Sequence, residues 1–446
     1  MGEIFKAYDI RGIYPSEINE NIAFKLAKAL AKYFNAKNCL IAGDVRKSTE
    51  SLKKSLIEGL IDSNLEVHDA GIISTSTFNY LISNFKFDFG VMITASHNPP
   101  EYNGFKIYNS EGEPIGIESG LKEIKEIYEK IEAKKENGKG KLIEKFDLKN
   151  EHLKFLKEKI KKEKIREFKI AIDLGSGCAN IVFPEILKEI NCEILLLNSE
   201  IDGEFKSRLP EPNEENLKEL IETIKKEKFD FGIAFDGDAD RIVFLDEKGK
   251  LLRGDQIAYL FVKYLKPKAF VFDFSFPPRF KKILEKEKIK FKESKVGRVF
   301  ISKVAKEIDA DIAIEYSGHI YFKELKYNED TFYAFIKFLQ ILSKEKKSLS
   351  KILEEYKTYN FISYKVKVED TKKELVMQKL KEKFEEFNIS TLDGIKVIFD
   401  DNNWFLIRPS NTEPIIRIHI EAENESKMNE IKKIIDKNIN EILNIL

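Results

Sequence analysis

Four short stretches combine residue types that do chemistry. "TASHNPPEYNGFK", Thr94 to Lys106, sets a serine beside a histidine and ends on a lysine. A serine hydroxyl is a weak nucleophile until a base, a metal or a dipole assists it. His97 is adjacent to Ser96, and Lys106 offers a positive charge. A Ser/Asn/Pro turn closing a strand accounts for the same residues. "FDGDADRIVFLDE", Phe235 to Glu247, alternates Asp236, Asp238 and Asp240. Three carboxylates crowded into one tight loop repel one another, and a hard divalent cation is the usual remedy. They suffice to anchor Mg²⁺ and leave room for a phosphate oxygen. An EF-hand does not fit. Its sixth position, which needs Gly, is Arg241, and the flanks "FGIAF" and "IVFL" read as strands, although Glu247 falls at the twelfth position. A solvated acidic turn without metal is the plain alternative. If Ser96 carries a phosphoryl group, one of its oxygens completes the Mg²⁺ shell, so Ser96 joins the three aspartates as a candidate ligand. Arg241 then stabilises charge during transfer.

In the third stretch, "EYSGHIYF", Glu315, Ser317 and His319 alternate. Carboxylate, hydroxyl and imidazole together suit the hydroxyls of a sugar. The fourth, "RPSNTEP", runs from Arg408 to Pro414. Arg408 presents a planar fork for phosphate. Ser410, Asn411 and Thr412 add donors, and loop amides can form an anion nest. Each of these two stretches also reads as a polar or rigid turn with no ligand.

The elements that must position these loops alternate strand-like apolar runs with amphipathic helical stretches from about Leu40 to Ile320, the pattern of α/β layers with largely parallel strands. Three segments overlay: "DFGVMITAS" from Asp88, "DFGIAFDGD" from Asp230 and "DADIAIEYS" from Asp309. Each opens on Asp, continues as an apolar strand and ends in a polar loop. Upstream of each lies another strand ending in Asp, at Asp44, Asp173 and Asp273. The expectation is three copies of one α/β unit, with ligands bound beyond the carboxyl ends of the strands. After about Tyr356 apolar and polar residues alternate with period two, and a final helix starts near Ser426, which predicts a small domain with an antiparallel sheet. The predicted domains are 1–146 with the serine loop, 147–250 with the acidic loop, 251–356 with the Glu-Ser-His loop and 357–446 with the Arg-Pro-Ser loop.

Composition excludes other classes. A chain of 446 residues with 42% apolar residues suits two to four well-cored domains. Lys+Arg and Asp+Glu are both 76, so no global charge attracts nucleic acid or an anionic membrane. The three cysteines, Cys39, Cys178 and Cys192, show no paired metal spacing and fit a reducing cytoplasm. No apolar run approaches the roughly 18 residues that span a bilayer. Nothing in the sequence specifies an oligomeric state.

At the four loops the chain resembles the α-D-phosphohexomutase family. The resemblance covers essentially the whole chain and runs in family order through "AYDIRG", "TASHNPPEYNGFK", "DGDADR", "KVGR", "EYSGH" and "RPSNTEP". It implies three similar α/β domains and a smaller C-terminal α+β domain around a central cleft. It implies interconversion of hexose 1-phosphates and 6-phosphates through a phosphoserine, with Mg²⁺ and a sugar 1,6-bisphosphate as intermediate and activator. On that resemblance Ser96 is the phosphoserine and Asp236, Asp238 and Asp240 are the metal ligands. Tyr8 and Arg11 line the catalytic cleft. His97, Lys106 and Arg241 surround the transferring phosphate. Glu315, Ser317 and His319 bind the sugar, with His319 a candidate general acid/base. Arg408, Ser410, Asn411 and Thr412 clamp the non-reacting phosphate. Three positions depart from the family. Ile314 stands where a Gly commonly precedes the sugar-loop Glu, Ser275 where bacterial mannose/glucose enzymes often carry Lys, and Arg298 where they can have His. The branch most resembled is phosphomannomutase/phosphoglucomutase. Phosphoglucosamine mutase is the runner-up, and a non-catalytic sugar-phosphate sensor or a phosphatase on the same scaffold are the alternatives from other classes.

Overall fold

The computed structural model describes residues 4–410 and 414–445. The first sheet contains β1 (Ile10–Ile13), β2 (Asn38–Gly43), β3 (Glu66–Ile72), β4 (Phe89–Ile93), β5 (Tyr102–Asn109) and β6 (Lys141–Glu144), in the order β1-β5-β4-β2-β3-β6. Its centre is parallel, with β2 between β3 and β4, while β5 runs antiparallel to β4. The second contains β7 (Lys169–Asp173), β8 (Glu193–Leu197), β9 (Phe231–Phe235) and β10 (Ile242–Asp246), with β7 parallel to both β8 and β9 and β10 antiparallel to β9. In the third copy β11 (Ala269–Asp273) lies parallel to β12 (Lys290–Ser294) and to β13 (Ile312–Ile314). The same three-strand unit therefore recurs as β3-β2-β4, β8-β7-β9 and β12-β11-β13. Helices lead into the last strand of each unit at Thr75–Asn84, Lys218–Glu227 and Arg298–Ile308. The central strands are continuous apolar runs because helices cover both faces of a parallel sheet.

Two aspartates per copy hold the ends of these strands. Asp88, Asp230 and Asp311 stand just before β4, β9 and β13 and accept the N–H of Lys37, Lys169 and Lys268 at the entry to the neighbouring strand (2.7, 2.8 and 2.6 Å). The sequence overlay opens the third copy at Asp309; the structure puts Asp311 in that role. Asp309 instead closes the helix Arg298–Ile308 in the left-handed conformation (φ +56°). A shift of two leaves every strand side chain on its own face, so the apolar pattern does not separate the two registers. With Asp311 as origin, Ser96, Asp238 and His319 fall at equivalent places in the three copies. At the strand exits, Asp44, Asp173 and Asp273 accept the N–H two residues on, from Arg46, Gly175 and Ser275, and so start each loop as an Asx turn.

A short antiparallel pair follows, β14 (Ile320–Phe322) with β15 (Asn328–Glu329). The C-terminal sheet is wholly antiparallel: β16 (Asn360–Lys367), β17 (Ile389–Ser390), β18 (Ile395–Ile398), β19 (Trp404–Pro409) and β20 (Ile415–Ala422), ordered β16-β20-β19-β18-β17. The helices Asp370–Phe384 and Glu425–Leu443 pack on it through Val376, Leu380 and Phe384 and through the stripe Ile431, Ile435, Ile439 and Ile442. That stripe follows the spacing of one helix face. The chain divides into two compact units, residues 1–253 with 317–352 and residues 254–316 with 353–446. Among the described residues no helix is long and apolar enough to cross a membrane.

Candidate active site

The serine, the acidic loop and most of their predicted neighbours meet in the first unit. Ser96 follows β4 with φ +51°, a left-handed backbone that costs a non-glycine residue energy and persists only where its surroundings enforce it. The enforcement is visible. Thr94 Oγ1 accepts the Ser96 N–H (2.9 Å). Arg46, buried and paired with Asp44, donates to the carbonyls of Ser96, Asn98, Pro99 and Tyr102. The Ser96 hydroxyl donates to Asp236 Oδ2 (2.8 Å) and lies 3.3 Å from both Asp240 Oδ1 and His97 Nδ1.

Asp236, Asp238 and Asp240 are buried, and each offers a carboxylate oxygen within 4.8 Å of the others. The turn between β9 and β10 is closed by Asp236, whose Oδ1 accepts the N–H groups of Asp240 and Arg241, and by Ala239 at φ +56°. Arg208 braces it from beneath, pairing with Asp173 and donating to the Phe235 carbonyl (2.6 Å). Lys106 Nζ bridges Asp238 Oδ2 (2.6 Å) and Asp240 Oδ2 (2.5 Å). Burial and the charges of Asp240 and Asp238 push the Asp236 carboxyl well up. For Asp240 burial acts the same way but is outweighed by the charges of Lys106 and Arg241, which hold it well down.

His319 Nε2 accepts from Arg241 Nε (3.0 Å), and its Nδ1 lies 3.9 Å from Asp240 Oδ1. A guanidinium does not give up its proton, so the imidazole carries its own on Nδ1, facing the acidic loop. In this geometry His319 is a neutral donor there, and taking a proton at that position requires the Arg241 contact to break. Arg11 is held by Asp9 (2.6 Å) and reaches Asn98 Oδ1 (2.8 Å) beside the serine loop. Tyr8 and Ser317 are half-buried in the same unit.

The remaining predicted residues belong to the second unit. Glu315 is buried and accepts the Gly297 N–H (3.2 Å), while Arg298 opens the next helix from Gly297 at φ +127°. Arg408 Nη1 lies 3.7 Å from Asp393 Oδ2. Ser410 is buried, donates its N–H to Ile415 O (2.9 Å) and accepts Lys373 Nζ (2.9 Å) at its carbonyl. Asn411 and Thr412 lie outside the described residues. Among the described residues Asp273 has no arginine bracket like those of Asp44 and Asp173. Burial pushes it up to about 6, against the N–H groups of Tyr316 and Ser275 and the charge of Arg408. Asp9, Arg46, Arg208, Thr75 and Thr94, which shape the site, were not singled out by sequence. The strand-exit aspartates were the one available signal for the two arginines.

Three copies of one α/β unit, an antiparallel C-terminal sheet and a serine against three buried carboxylates define a class. Sequence profiles of phosphoglucomutase/phosphomannomutase match in order: alpha/beta/alpha domain I over residues 2–135, domain II over 150–249, domain III over 253–359 and the C-terminal domain over 364–438. The chain is 39% identical to a phosphomannomutase of Methanocaldococcus jannaschii over 97% of this chain and 98% of that one. It is 33% identical to a phosphoglucomutase/phosphomannomutase of Thermococcus kodakarensis over 96% and 97%. A crystal structure of a phosphoglucomutase/phosphomannomutase family protein from Burkholderia thailandensis matches with a TM-score of 0.85 at 25% identity, covering 98% of this chain and 97% of that one. The chain belongs to the phosphoglucomutase/phosphomannomutase family, a family of phosphoryl-transferring isomerases.

Proposed function

We propose that the protein interconverts hexose 1-phosphate and hexose 6-phosphate, acting on mannose and glucose forms, through a phosphorylated Ser96 and a 1,6-bisphosphate intermediate. The observation that carries this reading is the Ser96 hydroxyl 2.8 Å from Asp236 Oδ2, inside a buried group of three carboxylates. The donor set fits a hard divalent cation. The donor atoms are all oxygen, and Asp238 Oδ1 is buried with no hydrogen-bond partner among the described residues. Asp236, Asp238, Asp240 and Ser96 would hold Mg²⁺, which supplies charge stabilisation for phosphoryl transfer. The chain's own groups do the rest. Transfer breaks the bond from Ser96 Oγ to phosphorus and forms one from a sugar hydroxyl oxygen. That hydroxyl gives its proton to a base, for which His319 is the candidate once its Arg241 contact breaks, and Ser96 Oγ, freed of phosphorus, regains a proton and again donates to Asp236, so that none is gained or lost overall. Lys106, Arg241, His97 and Arg11 offer positive or donor groups around the transferring phosphate, and His319 offers its Nδ1–H.

The reading assigns Glu315, Ser317, Arg298 and Tyr8 to the sugar and Arg408, Ser410, Asn411 and Thr412 to the distant phosphate. It divides the chain at 1–146, 147–250, 251–356 and 357–446. The test is a panel of mannose, glucose and glucosamine 1-phosphates with Mg²⁺ and a bisphosphate activator, following both isomerised sugar phosphate and free phosphate. Mannose and glucose 1-phosphates should isomerise, with phosphate mapped to Ser96 and turnover lost in Ser96→Ala. The highest kcat/KM on glucosamine 1-phosphate would overturn the sugar assignment. Free phosphate without isomer would make the protein a phosphatase.

A further inference from the structure

The Asp238 carboxylate is treated unequally at its two oxygens. Oδ2 accepts from three donors: Thr75 Oγ1 (2.7 Å), Thr94 Oγ1 (3.0 Å) and Lys106 Nζ (2.6 Å). Oδ1 is buried and accepts from none of the described residues. A carboxylate with both oxygens open turns about its last bond; one with a saturated oxygen presents the other in a fixed direction. The main chain behind it is fixed too. Thr75 N–H donates to the Asp238 carbonyl (2.8 Å), at the start of the helix Thr75–Asn84, and Ser76 Oγ and Thr331 Oγ1 both donate to the Ala239 carbonyl (2.8 and 2.9 Å). The helix is itself capped by Ser74, whose side chain accepts the Thr77 N–H.

Thr94 has a second task. Its hydroxyl has one proton, which goes to Asp238, and its oxygen accepts the Ser96 N–H (2.9 Å). One side chain thus sets both the serine's left-handed backbone and the carboxylate opposite it. The Thr75 hydroxyl bonds the carboxylate and lies 3.5 Å from Lys106 Nζ; none of its hydrogen bonds among the described residues reaches the serine.

We propose that Thr75 and Thr94 are positioning residues that orient Asp238 so that Oδ1 alone faces the bound cation. Thr75 acts on the cation site only, and Thr94 on the cation site and on Ser96 together. This rests on reading the acidic loop as a metal site. The experiment is calorimetric titration of Mg²⁺ into the whole, unphosphorylated protein, with mutase kinetics alongside. Ordering groups behind a metal ligand typically govern 10–100-fold in affinity, so Thr75→Val should weaken Mg²⁺ binding by about 10-fold or more. Thr75→Ser, which keeps the hydroxyl, should stay within about threefold of wild type. The Thr75→Val kcat should return at saturating Mg²⁺. That of Thr94→Val should not, because the Ser96 amide has lost its acceptor. If Thr75→Val does not fold, Thr75→Ala removes the hydroxyl without placing a methyl against the carboxylate and carries the same expectation. Mg²⁺ affinity unchanged in a folded variant lacking the Thr75 hydroxyl would overturn the inference while leaving the metal reading intact. A wild-type protein that takes up no Mg²⁺ would overturn both.

Discussion

Replacing Lys106 by Met removes the ammonium that bridges Asp238 and Asp240 while keeping much of its stem. Both contacts are buried. Removing one partner of a buried ion pair costs about 3–5 kcal/mol, because the charge left behind has neither water nor a counter-ion. Asp240 retains the Arg241 charge nearby, so the loss belongs near the lower end, about 3 kcal/mol. A divalent cation in the loop supplies the missing charge. Wild type gains from the same cation, so only the variant's excess affinity counts: Mg²⁺ bound about 100-fold more tightly once the ammonium is gone returns about 2.7 kcal/mol relative to wild type. The Lys106→Met protein should therefore be much less stable than wild type in chelator and nearly level with it in Mg²⁺. At roughly 2–4 °C per kcal/mol, the chelated variant should lose on the order of 10 °C in Tm, most of it recovered with metal. Scanning calorimetry of both proteins in EDTA and in Mg²⁺ reads this directly. The reasoning is refuted if the variant loses the same Tm in both conditions, or if Mg²⁺ stabilises it less than it stabilises wild type.

Arg408→Ala should weaken the grip on the distant phosphate by about 10- to 150-fold, the worth of a charge-assisted hydrogen bond. The loss should appear mainly in KM, with more free sugar 1,6-bisphosphate released per turnover; unchanged KM without leakage would leave "RPSNTEP" as a rigid turn. Lys396, buried on β18 between the Phe276 carbonyl and Glu293, is lowered to about 8 from 10.5, by burial against the pull of Glu293. The folded state holds its proton less tightly than the unfolded chain, so the stability lost on charging it returns as pH rises from about 8 to 10.5. Denaturation midpoints of wild type should climb over that range relative to Lys396→Met, and parallel curves would show that Lys396 titrates normally.

The loops that carry the chemistry were legible because they sit where apolar strands stop. Ser96 after β4 and Asp236 after β9 interrupt buried runs with groups a strand end does not need. The antiparallel texture after Tyr356 was legible for the same reason, since period-two alternation has one structural meaning. The bracing was not legible. Arg46 lies next to the Asp44 it pairs with, but the carbonyls it holds are 50 to 56 residues away, and Arg208 is 35 residues from Asp173. Nothing periodic marks such a contact. Thr75 reads as one polar residue in "STSTF" until the fold brings it to Asp238, 163 residues on. The division into two units was hidden as well: strands β11 to β13 group with the C-terminal domain, while residues 317–352, from the same predicted third domain, group with the first two copies.

The long reach of these contacts also sets a schedule for synthesis. Ser96 leaves the ribosome 140 residues before the carboxylate that accepts its proton, and Ser76 waits 255 residues for Thr331. At about 5–20 residues per second, roughly 7 to 28 s pass with the serine made and its acidic loop still untranslated. The first sheet can form meanwhile, since every strand in it is already present by residue 144. A chain cut short before the acidic loop therefore carries the hydroxyl with none of the three carboxylates, and the serine gains them only about halfway through synthesis.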